Sequence, residues 1–323
     1  MVDTRQKIIR LLSNDGKRYI SGQDLSNKLN ISRSAVWKHM NELKKEGYNI
    51  EGITNKGYRI IATPNKLSEH AIVSQLQTES IGRNIHLYDE VDSTQIIGHE
   101  RARIGDPHGT VIIARKQTKG RGRLQRHWQS SSNQGLWFST ILRPDQLTPN
   151  QAPQLTLVAA VALASFLKKL NINAQIKWPN DIFVNGKKLA GILTEMQAEQ
   201  DSIDYILLGI GLNVSQKIDD FNETIKDKAT SLYLETNLIH NINDLYHHIF
   251  YHLEEKYNLF LNEGFSKIKT LWENQAYKMN EWITVKTKDT FKAKLIGIHE
   301  DGALIVEDEQ QNEHICYSAE ILW

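Results

Sequence analysis

Gln117-Thr-Lys-Gly-Arg-Gly-Arg-Leu-Gln-Arg126 carries four Lys or Arg in ten residues, with Gly120 and Gly122 set between them. The apolar run Thr110-Val-Ile-Ile-Ala114 leads towards it as a strand, and Trp128 follows it. Glycine lets a backbone turn sharply and come close to a ligand. Arginine offers a permanently charged fork that matches phosphate and carboxylate oxygens. A strand running into an anion-binding loop is one reading, and a solvated basic turn has the same composition.

Sixty residues further on, Lys177-Trp-Pro-Asn-Asp181 sets a cation, an aromatic, a backbone-fixing proline, an amide and a carboxylate at a strand end. A lone Asp there is usually a turn former. Here the turn Asn185-Gly186 announces a hairpin, and Lys188 opens its return run, Lys-Leu-Ala-Gly-Ile-Leu193. Two lysines, one carboxylate and an arginine-rich loop suit an ATP-dependent step, with charge developing on a phosphate and Mg²⁺ held by the carboxylate.

Around these motifs the 323 residues allow two or three domains with ample core. The single cysteine, Cys316, excludes an intrachain disulfide and a Cys-based metal site. Met1 to Arg10 carries charge without an apolar signal core, and the apolar run Leu155 to Leu167 is too short to cross a bilayer. A cytoplasmic chain without a membrane partner is expected.

The net charge of +1 conceals a split. Residues 1–63 hold 12 Lys/Arg against 6 Asp/Glu, a net +6, and the remainder holds 27 against 32, a net −5. A basic end suits a polyanion. Apolar spacing predicts helices over 4–12, from Ser21 through Leu29, and over Arg33 to Lys45 with Ser32 as cap. Two helices joined by the tight turn Asn30-Ile-Ser32 form a helix-turn-helix, and the alternation of Tyr48 to Ile61 about Asn55-Lys-Gly57 supplies a wing. A helical docking module with a solvated basic face is the bland alternative. For DNA, the candidates are Ser21, Gly22, Ser32, Arg33, Ser34, Trp37 and Lys38, with Lys44, Lys56 and Arg59 towards phosphates.

Thr63 to Lys66 reads as a linker, and Ser68 as the cap of a helix from Glu69 to Gln77. Strands follow at Ile85–Tyr88, Gly135–Leu142, Ile176–Trp178 and Tyr205–Asn213, the last with glycines where bulk is unwelcome. Asp92-Ser-Thr-Gln95 lies at a strand-to-helix junction, where hydroxyls cap a helix or meet a ligand; spacing favours capping. Helices are expected over Pro153–Leu170, Ile242–Glu263 and Phe265–Gln275. His248 and His252 have metal-like spacing, but without a carboxylate motif they and His247 read as surface residues. Four short strands from Trp282 to Tyr317 make a small antiparallel barrel.

In order, Asp92-Ser-Thr94, Gln117, Gly120-Arg-Gly-Arg123, Trp128, Lys177-Trp-Pro-Asn-Asp181, Lys188-Leu-Ala-Gly-Ile-Leu193 and Gly209-Ile-Gly-Leu-Asn213 resemble the biotin–protein ligases of the bifunctional ligase/repressor class. The resemblance covers nearly the whole chain. It implies an α+β protein: a winged helix-turn-helix over 1–63, a catalytic α/β domain with a mixed sheet over 67–275, and an SH3-like β-barrel over 276–323. It implies synthesis of biotinyl-5′-AMP from biotin and ATP, with Mg²⁺. Biotin then passes to a lysine of the carboxyl carrier domain of acetyl-CoA or pyruvate carboxylase, and an adenylate-bound homodimer represses at operator DNA.

By the same resemblance, Ser93, Thr94, Gln95, Gln117 and Gly191 would bind biotin, and Arg121, Gly122 and Arg123 would close over its carboxylate. Gly120, Arg123, Arg126, Trp128, Lys177, Asn180 and Asn213 would meet the nucleotide, with Trp128 stacked on adenine. Lys188, Arg123, Lys177 and Asp181 would carry the chemistry, Asp181 also holding the metal. Two positions depart from the family pattern: Leu124-Gln125-Arg126 replaces a frequent Arg-Gly-Arg, and Gln95 replaces Asn. A lipoate–protein ligase, or a sensing repressor without catalysis, are the competing readings.

Overall fold

A computed structural model describes residues 4–14, 19–53, 56–62, 67–287 and 289–322. The expected linker Thr63–Lys66 and Asn55 of the wing turn lie outside the described residues. The chain divides into two compact units, 1–77 with 240–248, and 78–239 with 249–323.

In the first unit, helices Thr4–Asn14, Gly22–Leu29 and Arg33–Lys45 precede the antiparallel hairpin Asn49–Ile53 and Gly57–Ala62. The caps are those the sequence announces: Ser21 accepts from the Asp24 amide at 3.0 Å and Ser32 from that of Ala35 at 3.1 Å. Ile8, Ile9, Leu12, Leu25, Val36, Met40 and Leu43 meet in the core. Gly57, at φ +111°, lets the wing close on Ile20, which bridges Tyr58. The helix Glu69–Gln75 ends earlier than expected, and the Ser68 side chain makes no cap bond. Its amide donates instead to Asn243 Oδ1 at 3.0 Å.

The second unit is built on a seven-stranded mixed sheet. Its order is Ile85–Tyr88, Val111–Ala114, Gly135–Leu142, Ser202–Asn213, Lys187–Glu199, Asp181–Val184 and Gln175–Lys177. The first pair is parallel and every other pair antiparallel. All eight residues of Gly135–Leu142 are buried, as a strand covered on both faces requires. Helix Gln154–Lys169 buries twelve of its sixteen side chains. With its preceding turn, Pro149–Lys169 is long and apolar enough to cross a bilayer by length and composition, which Leu155–Leu167 alone did not suggest. Most of it is buried inside the protein, as in a core helix.

Two expectations need correction here. His247 and His252 are 8% and 7% exposed, not surface residues. They sit on the inner side of Ile242–Glu263 while His248 faces outward. Burial lowers the His247 pKa to about 4. The C-terminal strands Trp282–Lys286, Thr290–Ile298, Leu304–Glu307 and Glu313–Cys316 gain a fifth, Glu320–Leu322, which pairs with Trp282–Lys286 in a single antiparallel sheet.

Candidate active site

One face of the mixed sheet opens into a cavity of about 870 Å³. Its closed end is polar, though it is built from buried side chains. Ser93, Thr94 and Gln117 are 1%, 4% and 6% exposed. Ser93 caps helix Thr94–Arg103, as spacing suggested, and also lines the cavity. The Thr94 amide and hydroxyl both donate to Gln117 Oε1, at 2.8 and 3.2 Å, and Ser139 donates to Thr94 Oγ1 at 2.8 Å. Gln117 Nε2 donates to Ser130 Oγ at 3.0 Å. Such a network fixes each rotamer before a ligand arrives.

The basic stretch folds back on itself above this floor. The Gly122 amide donates to Arg126 O at 2.8 Å and the Trp128 amide to Gly120 O at 2.9 Å. The turn between them forces Leu124 and Gln125 into left-handed conformations, at φ 54° and 57°. The residue at 125 thus occupies a backbone position that suits the glycine of the family pattern. Leu124 is 77% exposed. Arg121 is exposed, with Asp92 and Glu195 within its electrostatic reach. Arg123 is half-buried, and desolvation lowers its pKa against the opposing pull of Asp181.

Across the cavity a shift of register between Ile182 and Phe183 brings Lys188 Nζ to 2.7 Å from Asp181 Oδ1. Lys177 extends over the Phe183 ring at 5.0 Å, and burial lowers its pKa, with Asp181 opposing. Lys188 is thus paired with Asp181, and Arg123 and Lys177 feel the same carboxylate. Three cations, two of them partly desolvated, concentrate positive charge on this side of the cavity, with Glu320 also acting on Lys177, an arrangement that suits an anionic ligand.

Trp128 lines the same cavity. Its indole lies over the sheet at Gly191 and Gly211, with Lys188 Nζ 5.3 Å from the ring centre. An added Cβ would come within 2.5 Å of that ring at Gly211 and within 3.1 Å at Gly191. Asn180 and Asn213 line the cavity, but protein occupies their amides. Asn180 Nδ2 donates to Ile192 O at 2.8 Å, and Asn213 Nδ2 to Thr230 O at 2.9 Å. Their immediate work is to hold the strand ends. Arg126 points to the C-terminal sheet and pairs with Glu320 at 2.7 Å. Sequence reasoning missed Glu320, Ser130, Ser139 and Glu195, since none stands in a recognisable motif.

In the first unit, Arg33, Ser34, Trp37 and Lys38 stand exposed on helix Arg33–Lys45, Trp37 at 62%. Ser32 shares its hydroxyl with Ser34 at 2.9 Å. Gly22 packs near the Tyr58 ring, and Lys44 and Lys56 are exposed. Arg59 is engaged within the wing: it donates to Glu51 at 2.8 Å and lies 4.7 Å above the Tyr19 ring. The pair spans the two strands of the hairpin.

Residues 88–213 match the biotin/lipoate A/B protein ligase family, and residues 4–59 match an HTH domain. The bifunctional ligase/repressor BirA of Bacillus subtilis is 44% identical over 98% of this chain and 98% of its own length. That of Escherichia coli is 30% identical over 94% and 92%. The biotin protein ligase of Aquifex aeolicus, solved in complex with biotin and ATP, superposes with a TM-score of 0.65 at 31% identity, over 74% of this chain and 97% of that one. The cation-rich cavity, the helix-turn-helix and this end-to-end likeness converge: the chain belongs to the bifunctional ligase/repressor family of biotin–protein ligases.

Proposed function

We propose that this protein joins biotin to ATP, transfers biotin to a carrier-protein lysine, and represses transcription through its helix-turn-helix. Biotin and ATP are its substrates. The three-cation cluster near Asp181, beside a buried polar floor, is the observation that carries the ligase reading. In the first step a biotin carboxylate oxygen attacks the α-phosphorus and pyrophosphate leaves. In the second, a lysine amine attacks the acyl carbon, AMP leaves, and the amine gives up a proton.

Ser93, Thr94, Gln95 and Gln117 are our assignment for the ring of biotin, at the closed end. Lys188 and Arg123 would hold the carboxylate-to-phosphate junction, where fixed cations stabilise developing charge. Arg121, Gly122 and Arg123 would fold over it and keep water from the mixed anhydride. Lys177, Arg126 and Trp128 would meet the nucleotide, with Gly191 leaving room for the indole and Gly120 for the Ser130 hydroxyl and the Trp128 carbonyl behind it. Asp181, next to Lys188, is the proton acceptor we favour for the amine. As a single carboxylate beside a phosphate site, Asp181 also fits Mg²⁺, which commonly takes one or two carboxylates plus substrate oxygens. Bound there, the ion would neutralise charge on the phosphates.

We further propose a functional division at 1–63, 67–275 and 276–323, action in the cytoplasm, and dimerisation of the adenylate-bound form on two-fold operator DNA. Arg33, Ser34, Trp37 and Lys38 would enter the groove. Transfer of radiolabelled biotin to a carrier domain, with and without ATP, tests the ligase reading. ATP-dependent labelling is expected; labelling from lipoate, or adenylate binding without transfer, would overturn it.

A further inference from the structure

Gln95 lines the closed end of the cavity and is 3% exposed. Its Nε2 donates to Glu195 Oε2 at 3.0 Å and more weakly to Leu193 O at 3.5 Å. Its Oε1 is buried and has no partner among the described residues. That oxygen lies towards Gly209 of the cavity wall, where an added Cβ would approach it to 3.1 Å. A buried amide oxygen lacking a donor carries a desolvation cost unless something supplies one.

Behind the amide stands a chain of polar groups. Glu195 Oε2 also lies 3.3 Å from His99 Nε2, and His99 Nδ1 lies 3.1 Å from the Tyr205 hydroxyl. One proton arrangement satisfies every contact: Tyr205 donates to Nδ1, Nε2–H donates to Glu195, and the Gln95 amide donates to the same carboxylate. The His99 hydrogen bond is the largest influence holding the Glu195 carboxyl below its ordinary range. Turned over, the amide would set Oε1 against that carboxylate, two acceptors facing each other. Charge therefore decides which way the amide points.

We propose that Glu195 is a positioning residue for ligand recognition: backed by His99 and Tyr205, it holds the Gln95 amide so that Oε1 accepts an N–H of the bound ligand. The inference rests on the ligase reading above, which supplies a ureido ring bearing two such donors. It explains how Gln serves in place of the shorter Asn of the family pattern. The longer side chain reaches Glu195 and leaves its oxygen beside Gly209 of the cavity wall.

Titration calorimetry of biotin into the full-length protein tests this. Gln95→Ala loses the acceptor, and Glu195→Gln releases the amide to turn over; each is expected to weaken biotin about tenfold, the cost of one buried hydrogen bond. The double variant should bind no more weakly than either single one, because both changes remove the same contact. A role for Glu195 in the fold alone would persist in the Gln95→Ala background and multiply the two losses. His99→Phe, the second probe, removes the donor that anchors the carboxylate and should cost about threefold. Affinity unchanged in Glu195→Gln and His99→Phe, or multiplicative losses in the double variant, overturns the proposal. A wild-type protein that fails to bind biotin would instead defeat the ligase reading itself.

Discussion

Gly211→Ala isolates what Trp128 contributes. An alanine Cβ at 211 would lie 2.5 Å from indole Nε1, 2.6 Å from Cε2 and 3.0 Å from Cζ2. Ordinary contact begins at 3.4 Å, so the ring must move by about 0.9 Å, the difference of 3.4 and 2.5. The backbone cannot yield, because Gly211 is paired to Trp137 on one side and Gly191 on the other. Nor does alanine strain it there, since Gly211 has no left-handed φ. The indole therefore lifts from the sheet towards the nucleotide space. Such overpacking costs about 1–3 kcal/mol of stability. A misplacement of about 1 Å next to reacting groups can cost about 100-fold in rate. Biotin-dependent ATP–pyrophosphate exchange should show that loss in kcat/KM for ATP, with biotin affinity within about twofold of wild type because the floor is untouched. In a Trp128→Ala background, Gly211→Ala should add nothing. Wild-type exchange in Gly211→Ala, or a full penalty without the indole, would refute the reasoning.

Three further outcomes are expected. Arg123→Ala should release biotinyl-AMP faster, by about tenfold or more if one charge-assisted contact is lost, and should weaken operator binding. Gel filtration of labelled adenylate checks it, and unchanged retention would contradict the loop assignment. Lys177 is lowered by burial, and a bound phosphate favours its charged form. Nucleotide affinity should therefore be full below that lowered pKa and fall as pH rises through it towards the ordinary lysine value of about 10.4. Lys177→Arg should flatten a fluorescence titration over that range. Lys38→Ala should weaken DNA binding and reduce its salt dependence by about one counterion, with carrier labelling unaltered.

Much of the fold was legible because local chemistry and long-range packing agree. Gly135–Leu142 and Ile242–Glu263 fall where the sequence puts them. The strand is mostly apolar with Ser139 and Thr140 within it, and the helix repeats its apolar groups over 22 residues. Ser21, Ser32 and Asn185-Gly186 are local signals with one dominant outcome each. Glu320–Leu322 was not legible: three residues have no period to read, and pairing with Trp282–Lys286 is what makes them a strand. His252 misled because its spacing from His248 suggested a shared face, whereas helix packing buries one and exposes the other.

The site divides along the same line. Arg123, Lys177, Asp181 and Lys188 stand out as residue types in motifs, but their mutual geometry depends on the register shift between Ile182 and Phe183. Without it, alternation along the two strands would not set Lys188 against Asp181 at 2.7 Å. The Gln95–Glu195–His99–Tyr205 chain is further from the sequence still. Its members come from a helix and two neighbouring strands, about 100 residues apart at the widest steps. Glutamate on a strand reads as a solvent-facing residue by type. Only the three-dimensional neighbours show that Glu195 has a histidine donor on one side and a cavity amide on the other. Motifs therefore identify groups that can act on a substrate, while the residues that orient them become visible only through tertiary contacts.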